Sequence, residues 1–441
     1  MRTELSHYER ACSFIDTHRK DMVDWLKACV EFESTPGKEQ GIQNWLREKL
    51  EEQQLFDKLD LWADDEHADR PNIVATLTGK RNTGKDLIIN GHVDVVPVEK
   101  EEKAKWSSDP WVAIEKDDRV YGRGTCDMKA GVVAGLWAAM AVAATKVSMG
   151  GTVHVECVVG EEEAAECGTP STIKRGYSAP LVVIPEPSNC EIHPLICGEI
   201  DYRLVVNGKA AHTGNRNLIL YPQRWGIPCG SEVGVDAIQK MIKYMEALKN
   251  LERDWAFRWR HELLGGGAQG DTQGVGGFII NPGILRGGSW PSKVADSCEL
   301  IGNVLYPPWV TSEQIVDEFR TILDNVSMSD DWLRTHPPNL TMPATIDAHP
   351  SEIAKNHPGC ELLKSCWKKA TGREPVVSGF LSACDASWFK DAGMPVLVFG
   401  PGHLLMGAHG IDEYVPVNQM VDVAKTLAAL ILDWCGVVGV S

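Results

Sequence analysis

Leu87-Ile88-Ile89-Asn90-Gly91-His92-Val93-Asp94 is the stretch on which the reading of this chain turns. An apolar run closed by a glycine, a histidine and an acid reads as a strand buried on both faces, as in a parallel sheet covered by helices. His92 then emerges at the carboxyl end of that strand, where open α/β sheets carry their ligands. Similar runs recur at 72–77, 152–159, 181–184 and 395–399, and they alternate with helical stretches such as 129–145 and 418–434. The alternation predicts an α/β domain with a helix-flanked, mostly parallel sheet.

From about Ile200 the pattern changes. An alternating strand at 201–207 and a long helix at 235–252 come first. Glycine-rich connections at 265–277, strands near 278–285 and 296–305, and a helix from Glu313 follow. This predicts an inserted α+β domain over 200–341, with the first domain built from 1–199 and 342–441. Length supports the division, since 441 residues exceed what one core usually spans and 43% apolar residues suffice for two.

A net charge of −17, from 44 basic and 61 acidic side chains, argues against nucleic acid or an anionic membrane as partner. No apolar run reads as long enough to cross a bilayer, and the N-terminus lacks the order of a signal peptide. Thirteen cysteines with no CxxC pair read as small hydrophobes in a reducing compartment. A cytoplasmic enzyme acting on a small molecule is the expectation. Trp225, Trp255, Trp259 and Trp290 of the inserted domain read as packing more readily than as a substrate box.

Seven side chains read as one binuclear metal site: His92, Asp94, Asp127, Glu161, Glu162, Glu186 and His409. Asp94 stands where its carboxylate can hold the far nitrogen of His92 and fix its tautomer. Asp127 precedes a helix, so an isolated reading makes it an N-cap, but a carboxylate there also bridges two cations. Glu161-Glu162-Glu163 follows a buried strand. Three adjacent acids repel; a cation relieves this, and one acid can bind metal while a neighbour of raised pKa moves protons. Glu163 reads by default as solvated surface. Glu186 is held rigid between Pro185 and Pro187. On the residues alone, His403 competes with His409.

GHVD (91–94), YGRGTCDMKAG (121–131), GEEE (160–163), IPEP (184–187), GKAAHTG (208–214), FGPG (399–402) and AHGIDE (408–413) occur in this order. Together they resemble the signature of the co-catalytic zinc amidohydrolases and peptidases, the family of aminoacylase, acetylornithine deacetylase, succinyl-diaminopimelate desuccinylase, carboxypeptidase G and carnosinase. The resemblance implies two divalent ions per chain, zinc or alternatively manganese or cobalt. His92 and Glu186 would bind one, Glu162 and His409 the other, and Asp127 both, which selects His409 over His403. It implies a cis peptide after Asp127, Asp94 orienting His92, and Glu161 as general base for hydrolysis of a C–N amide bond by metal-activated water. It also makes the inserted domain a lid and dimerisation domain whose His212 reaches the partner's site in a homodimer.

The chain departs from the family where substrate is held. Relatives often carry an Asn in the segment matching 291–295 and a carboxylate-gripping Arg in the segment matching 302–307; here Ser292 and Leu305 stand there, and Arg286 is the nearest replacement. The leading expectation is a hydrolase of an N-acyl amino acid or peptide-like amide. One alternative is a hydrolytic deaminase of an unusual, aromatic amine on the same metal site. A second is a non-catalytic dimeric binding protein, whose sign would be a missing ligand or base, and none is missing.

Overall fold

A computed structural model describes residues 5–64, 66–80, 84–221, 226–264 and 277–440. The chain divides into two compact units, 1–196 with 351–380 and 384–441, and 197–350 with 381–383. The return to the first unit comes at Ser351, later than the Met342 read from pattern, because Asn339–Thr341 and Asp347–Ala348 add strands to the second unit's sheet.

The first unit is built on a nine-stranded sheet. At its centre Val153–Val158, Leu87–His92, Val182–Ile184 and Val396–Val398 run parallel, while the strands toward the edges, such as Lys58–Trp62 and Asn72–Leu77, pair antiparallel. Every residue of Leu87–His92 is buried, the burial expected of a strand covered on both faces.

The helix Ala130–Ala144 has no polar side to turn to water, and it is buried all round for most of its length. Thr125–Ala144 is, by length and composition, apolar enough to cross a membrane, which the sequence reading did not recognise; 89% of its apolar window is buried inside the unit, as in a core helix. Two glycines let it lie directly on the sheet. A Cβ at Gly131 would stand 2.0 Å from the Pro185 carbonyl oxygen, and one at Gly135 2.8 Å from Ile89 Cγ2. Close approach here fixes the loop after Val182–Ile184, which carries Glu186.

The second unit is an antiparallel sheet ordered Ile279–Gly287, Ser297–Tyr306, Gly198–Asn207, Asn339–Thr341, with Asp347–Ala348 also on Gly198–Asn207. Gly198–Asn207 alternates strictly, burying Ile200, Tyr202, Leu204 and Val206. That single face packs with the helices Ala237–Arg258 and Ser312–Met328. Trp255 is fully buried with ring centroids 5.6 Å from Trp259 and 5.5 Å from Phe278, so these aromatics are core. Trp290 is 71% exposed, and Trp225 and residues 265–276 lie outside the described residues.

Because the atom a Gly131 side chain would meet is backbone, no rotamer change relieves the clash. Gly131→Ala is expected to destabilise the first unit by about 1–3 kcal/mol, the usual cost of overpacking. A thermal-unfolding midpoint lowered by several degrees would show it, and an unchanged midpoint would contradict the close-packed helix.

Candidate metal centre

His92 closes the central strand and is 1% exposed. Its Nδ1 lies 3.0 Å from the carbonyl oxygen of Asp94, which accepts only if Nδ1 carries the proton. The other nitrogen, Nε2, is buried and has no hydrogen-bond partner among the described residues, and the neighbouring acids, Glu161 first, outweigh burial to raise the ring's affinity for protons. The expected orienting contact therefore comes from the Asp94 main chain, with the carboxylate 3.6 Å away. That carboxylate instead accepts the backbone N–H groups of Glu161, at 3.3 Å, and Glu162, at 3.0 Å. Asp94 thus ties the His92 strand end to the acidic loop.

Asp127 sits in an irregular turn, Thr125–Lys129, ahead of the core helix, and the Asp127–Met128 peptide is cis. No side chain caps the following helix, which removes the N-cap reading. What shapes the turn is Glu413. Its fully buried carboxylate accepts the N–H groups of Gly124 (2.9 Å), Cys126 (2.8 Å) and Asp127 (3.1 Å), and the Arg123 guanidinium at 2.9 Å. The Asp127 turn is therefore fastened to the loop that carries His409, although 286 positions separate Asp127 from Glu413.

These constraints bring six of the predicted side chains together. His92 Nε2 lies 3.4 Å from Asp127 Oδ1 and 3.7 Å from both Glu161 Oε2 and Glu186 Oε1. His409 Nε2 lies 3.4 Å from Asp127 Oδ2 and 3.1 Å from Glu162 Oε2. The two imidazoles thus face opposite oxygens of one carboxylate. His409 adopts a left-handed backbone, φ 57°, that turns its ring into the cluster; His403 instead accepts the Leu405 N–H and takes no part. Ligand atoms of His92, Asp127 and Glu162 lie within 4.8 Å of one another.

The electrostatics call for cations. Burial first, then the neighbouring acids, pushes the Glu161 and Glu186 carboxyls well above their usual range, and Glu162 also rises. Burial acts the same way on Asp127, but the facing imidazoles of His409 and His92 outweigh it and hold that carboxyl low. His409 is pushed up to about 11 by its bonds to Asp127 and Glu162. Asp127, Glu161, Glu162 and Glu186 carry four negative charges when ionised, and two divalent ions balance four. The buried, unpartnered Nε2 of His92 and the two-faced Asp127 suit a pair of ions, since neutral imidazole and carboxylate are common ligands for zinc, manganese and cobalt.

The remaining predicted residues belong to the second unit. His212 is exposed and its Nδ1 accepts the Gly214 N–H; its strand pairs Lys293, beside the exposed Ser292. Leu305 lies opposite Glu199 and Ile279. Arg286 lies opposite Glu299, with a guanidinium nitrogen 3.6 Å from its carboxylate. Six positions along one strand, about 20 Å, separate the places of Arg286 and Leu305, so Arg286 does not stand in for an arginine at 305. Sequence reasoning gives no role to Glu413, Arg123 or Arg70; Glu163 is exposed, as read, and also accepts a hydrogen bond from the buried Arg70. Opposite charges inside YGRGTCD and AHGIDE were the available sign of the first pairing.

Among solved structures the fold resembles the yeast di-peptidase Dug1p, with a TM-score of 0.75 at 14% identity over 98% of this chain and 99% of that one. It also resembles the Bacillus subtilis protein YXEP, described as a dinuclear metal binding peptidase, with a TM-score of 0.59 at 12% identity over 94% and 98%. In sequence, N-formyl-4-amino-5-aminomethyl-2-methylpyrimidine deformylase of Halalkalibacterium halodurans is 31% identical over 98% of both chains. The profile of peptidase family M20/M25/M40 matches residues 88–433, a span holding all six clustered side chains, and the chain belongs to that family of metal-dependent hydrolases of amide bonds.

Proposed function

We propose that this enzyme removes the formyl group from an N-formylated aminomethyl-pyrimidine, releasing formate and the free amine. The observation that carries the reading is the convergence of His92, Asp127, Glu161, Glu162, Glu186 and His409. Two features narrow the substrate. The 31% identity to the deformylase of Halalkalibacterium halodurans extends over essentially the whole of both chains. Leu305 occupies the segment where an acyl-amino-acid hydrolase carries a carboxylate-gripping arginine, and a formylated aminopyrimidine has no carboxylate to grip.

His92 and Glu186 would hold one ion, Glu162 and His409 the other, with Asp127 offering one oxygen to each side. Two divalent ions held there would supply a water of lowered pKa and a polarised scissile carbonyl. Glu161 is the acid left over. Its half-buried position, 3.7 Å from His92 Nε2, and its raised affinity for protons suit it to take a proton from water and deliver it to the departing amine. Asp94 keeps Glu161 and Glu162 in register through their backbone N–H groups. In this reading a homodimer places the exposed His212 of one subunit against the developing oxyanion in the other. We place the enzyme in the cytoplasm, where its thirteen free cysteines, most of them buried, stay reduced.

Given zinc or manganese, the protein is expected to hydrolyse N-formyl-4-amino-5-aminomethyl-2-methylpyrimidine. Plain N-acetyl amino acids are expected to give a kcat/KM lower by at least about tenfold, since the missing charged contact is worth roughly 1.5–3 kcal/mol. Efficient turnover of several N-acetyl amino acids, with none of the formylpyrimidine, would refute this specificity.

Glu161→Gln is expected to keep its metal while losing about two to four powers of ten in turnover, whereas Glu162→Gln loses metal. Mixing Glu161→Gln chains with His212→Ala chains is expected to restore part of the activity, because one hybrid site holds both groups. Metal lost from the first variant and kept by the second would reverse the two roles, and a fully active monomer would remove His212 from the reaction.

A further inference from the structure

The loop from Gly160 to Gly168 carries both Glu161 and Glu162. Its two ends are joined by Asn72, which accepts the Val159 N–H at 3.2 Å and donates to the Cys167 carbonyl at 2.7 Å. Within it, Ala165 donates to the Gly160 carbonyl and Ala164 to the Glu161 carbonyl, both at 2.8 Å. Gly160 adopts φ +75°, and a Cβ there would stand 3.0 Å from Arg70 Nη2. The guanidinium of Arg70 therefore lies against the loop.

That guanidinium is anchored elsewhere. Arg70 Nε donates to both oxygens of Glu39, at 3.1 and 3.2 Å, and Nη2 adds a third bond at 2.5 Å. The Glu39 side chain is fully buried and that of Arg70 8% exposed. One edge of the planar fork thus completes a buried ion pair, while Nη1, on the other side, donates to Glu163 at 2.5 Å. The three successive acids divide: Glu161 and Glu162 face the two imidazoles, and Glu163 faces back onto the anchor.

We propose that Arg70 is a positioning residue of the hydrolytic site: fixed on Glu39, it packs against the 160–168 loop and, through Glu163, sets where Glu161 and Glu162 stand. Asp94 holds the loop's N–H groups from the metal side; Arg70 holds it from behind. The proposal rests on the amide-hydrolase reading for what Glu161 and Glu162 do. Partners of this outer kind typically change metal affinity or activity by 10–100-fold.

Arg70→Met leaves Glu39 buried without its cation and is expected to unfold the first unit, so Glu163→Ala and Glu163→Gln carry the test. Each full-length chain is stripped of metal and titrated calorimetrically with Mn²⁺, and its thermal midpoint is measured metal-free. Glu163→Ala is expected to bind Mn²⁺ at the weaker site about tenfold less tightly, with an unchanged midpoint because the Glu39–Arg70 pair survives. Glu163→Gln is expected to stay near the parent, since its amide oxygen still accepts from Arg70. Parental affinity in Glu163→Ala would overturn the proposal. So would equal weakening in both variants, which would assign the effect to lost charge, or a midpoint falling in step with affinity, which would make the contact merely structural. Failure of the unmodified chain to deformylate the pyrimidine would refute the functional reading instead, leaving the Mn²⁺ ordering to decide the role of Arg70.

Discussion

Asp127, Glu161, Glu162 and Glu186 are crowded around two imidazoles in a partly buried site, and the residues nearby hold them there against their repulsion. Left alone, such acids would separate or take up protons, as the raised pKa values of Glu161, Glu162 and Glu186 express. The clamps that oppose separation are backbone and side-chain hydrogen bonds made by residues outside the cluster. Glu413 collects three N–H groups and Arg123, Asp94 collects two N–H groups, and Arg70 packs against the acidic loop. Each clamp ties together segments distant in sequence, so the site and the fold of the first unit depend on one another.

The sheet makes this geometry available. His92 ends the central strand, the Glu161 loop follows its parallel neighbour Val153–Val158, and Glu186 follows Val182–Ile184 on the other side. Three loops from adjacent parallel strands thus open at the same edge, the general location of ligands in open α/β sheets. The core helix Ala130–Ala144 presents the Asp127 turn to that edge, and its close seat on Pro185 through Gly131 couples the turn to the Glu186 loop.

Much of this was legible in the sequence. The apolar run Leu87-Ile88-Ile89 ahead of His92 announced a strand covered on both faces, and the strict alternation after Ile200 announced a sheet with one buried face. Ligand types were readable because metal chemistry admits few residues, and the ordered motifs selected His409 where His403 was equally eligible by composition. Arg70 was not legible, because nothing local distinguishes an arginine that will be buried on Glu39 from a solvated one. The exposure of Glu163 was legible, but its contact with Arg70 was not: that partner lies 93 positions away. The Asp94 contact was misassigned between carboxylate and carbonyl, a distinction of main-chain path that side-chain pattern does not encode. The membrane-length apolar stretch at 125–144 shows the converse, since composition alone does not separate a core helix from a spanning one.

The central claim is that this cluster is a two-ion centre. Elemental analysis of the fully active, dialysed enzyme tests it most directly, with activity followed as metal is withdrawn by a chelator. The account predicts two divalent ions per chain, with activity falling as either is removed and returning when both are restored. Full activity with a single tightly bound ion would contradict it.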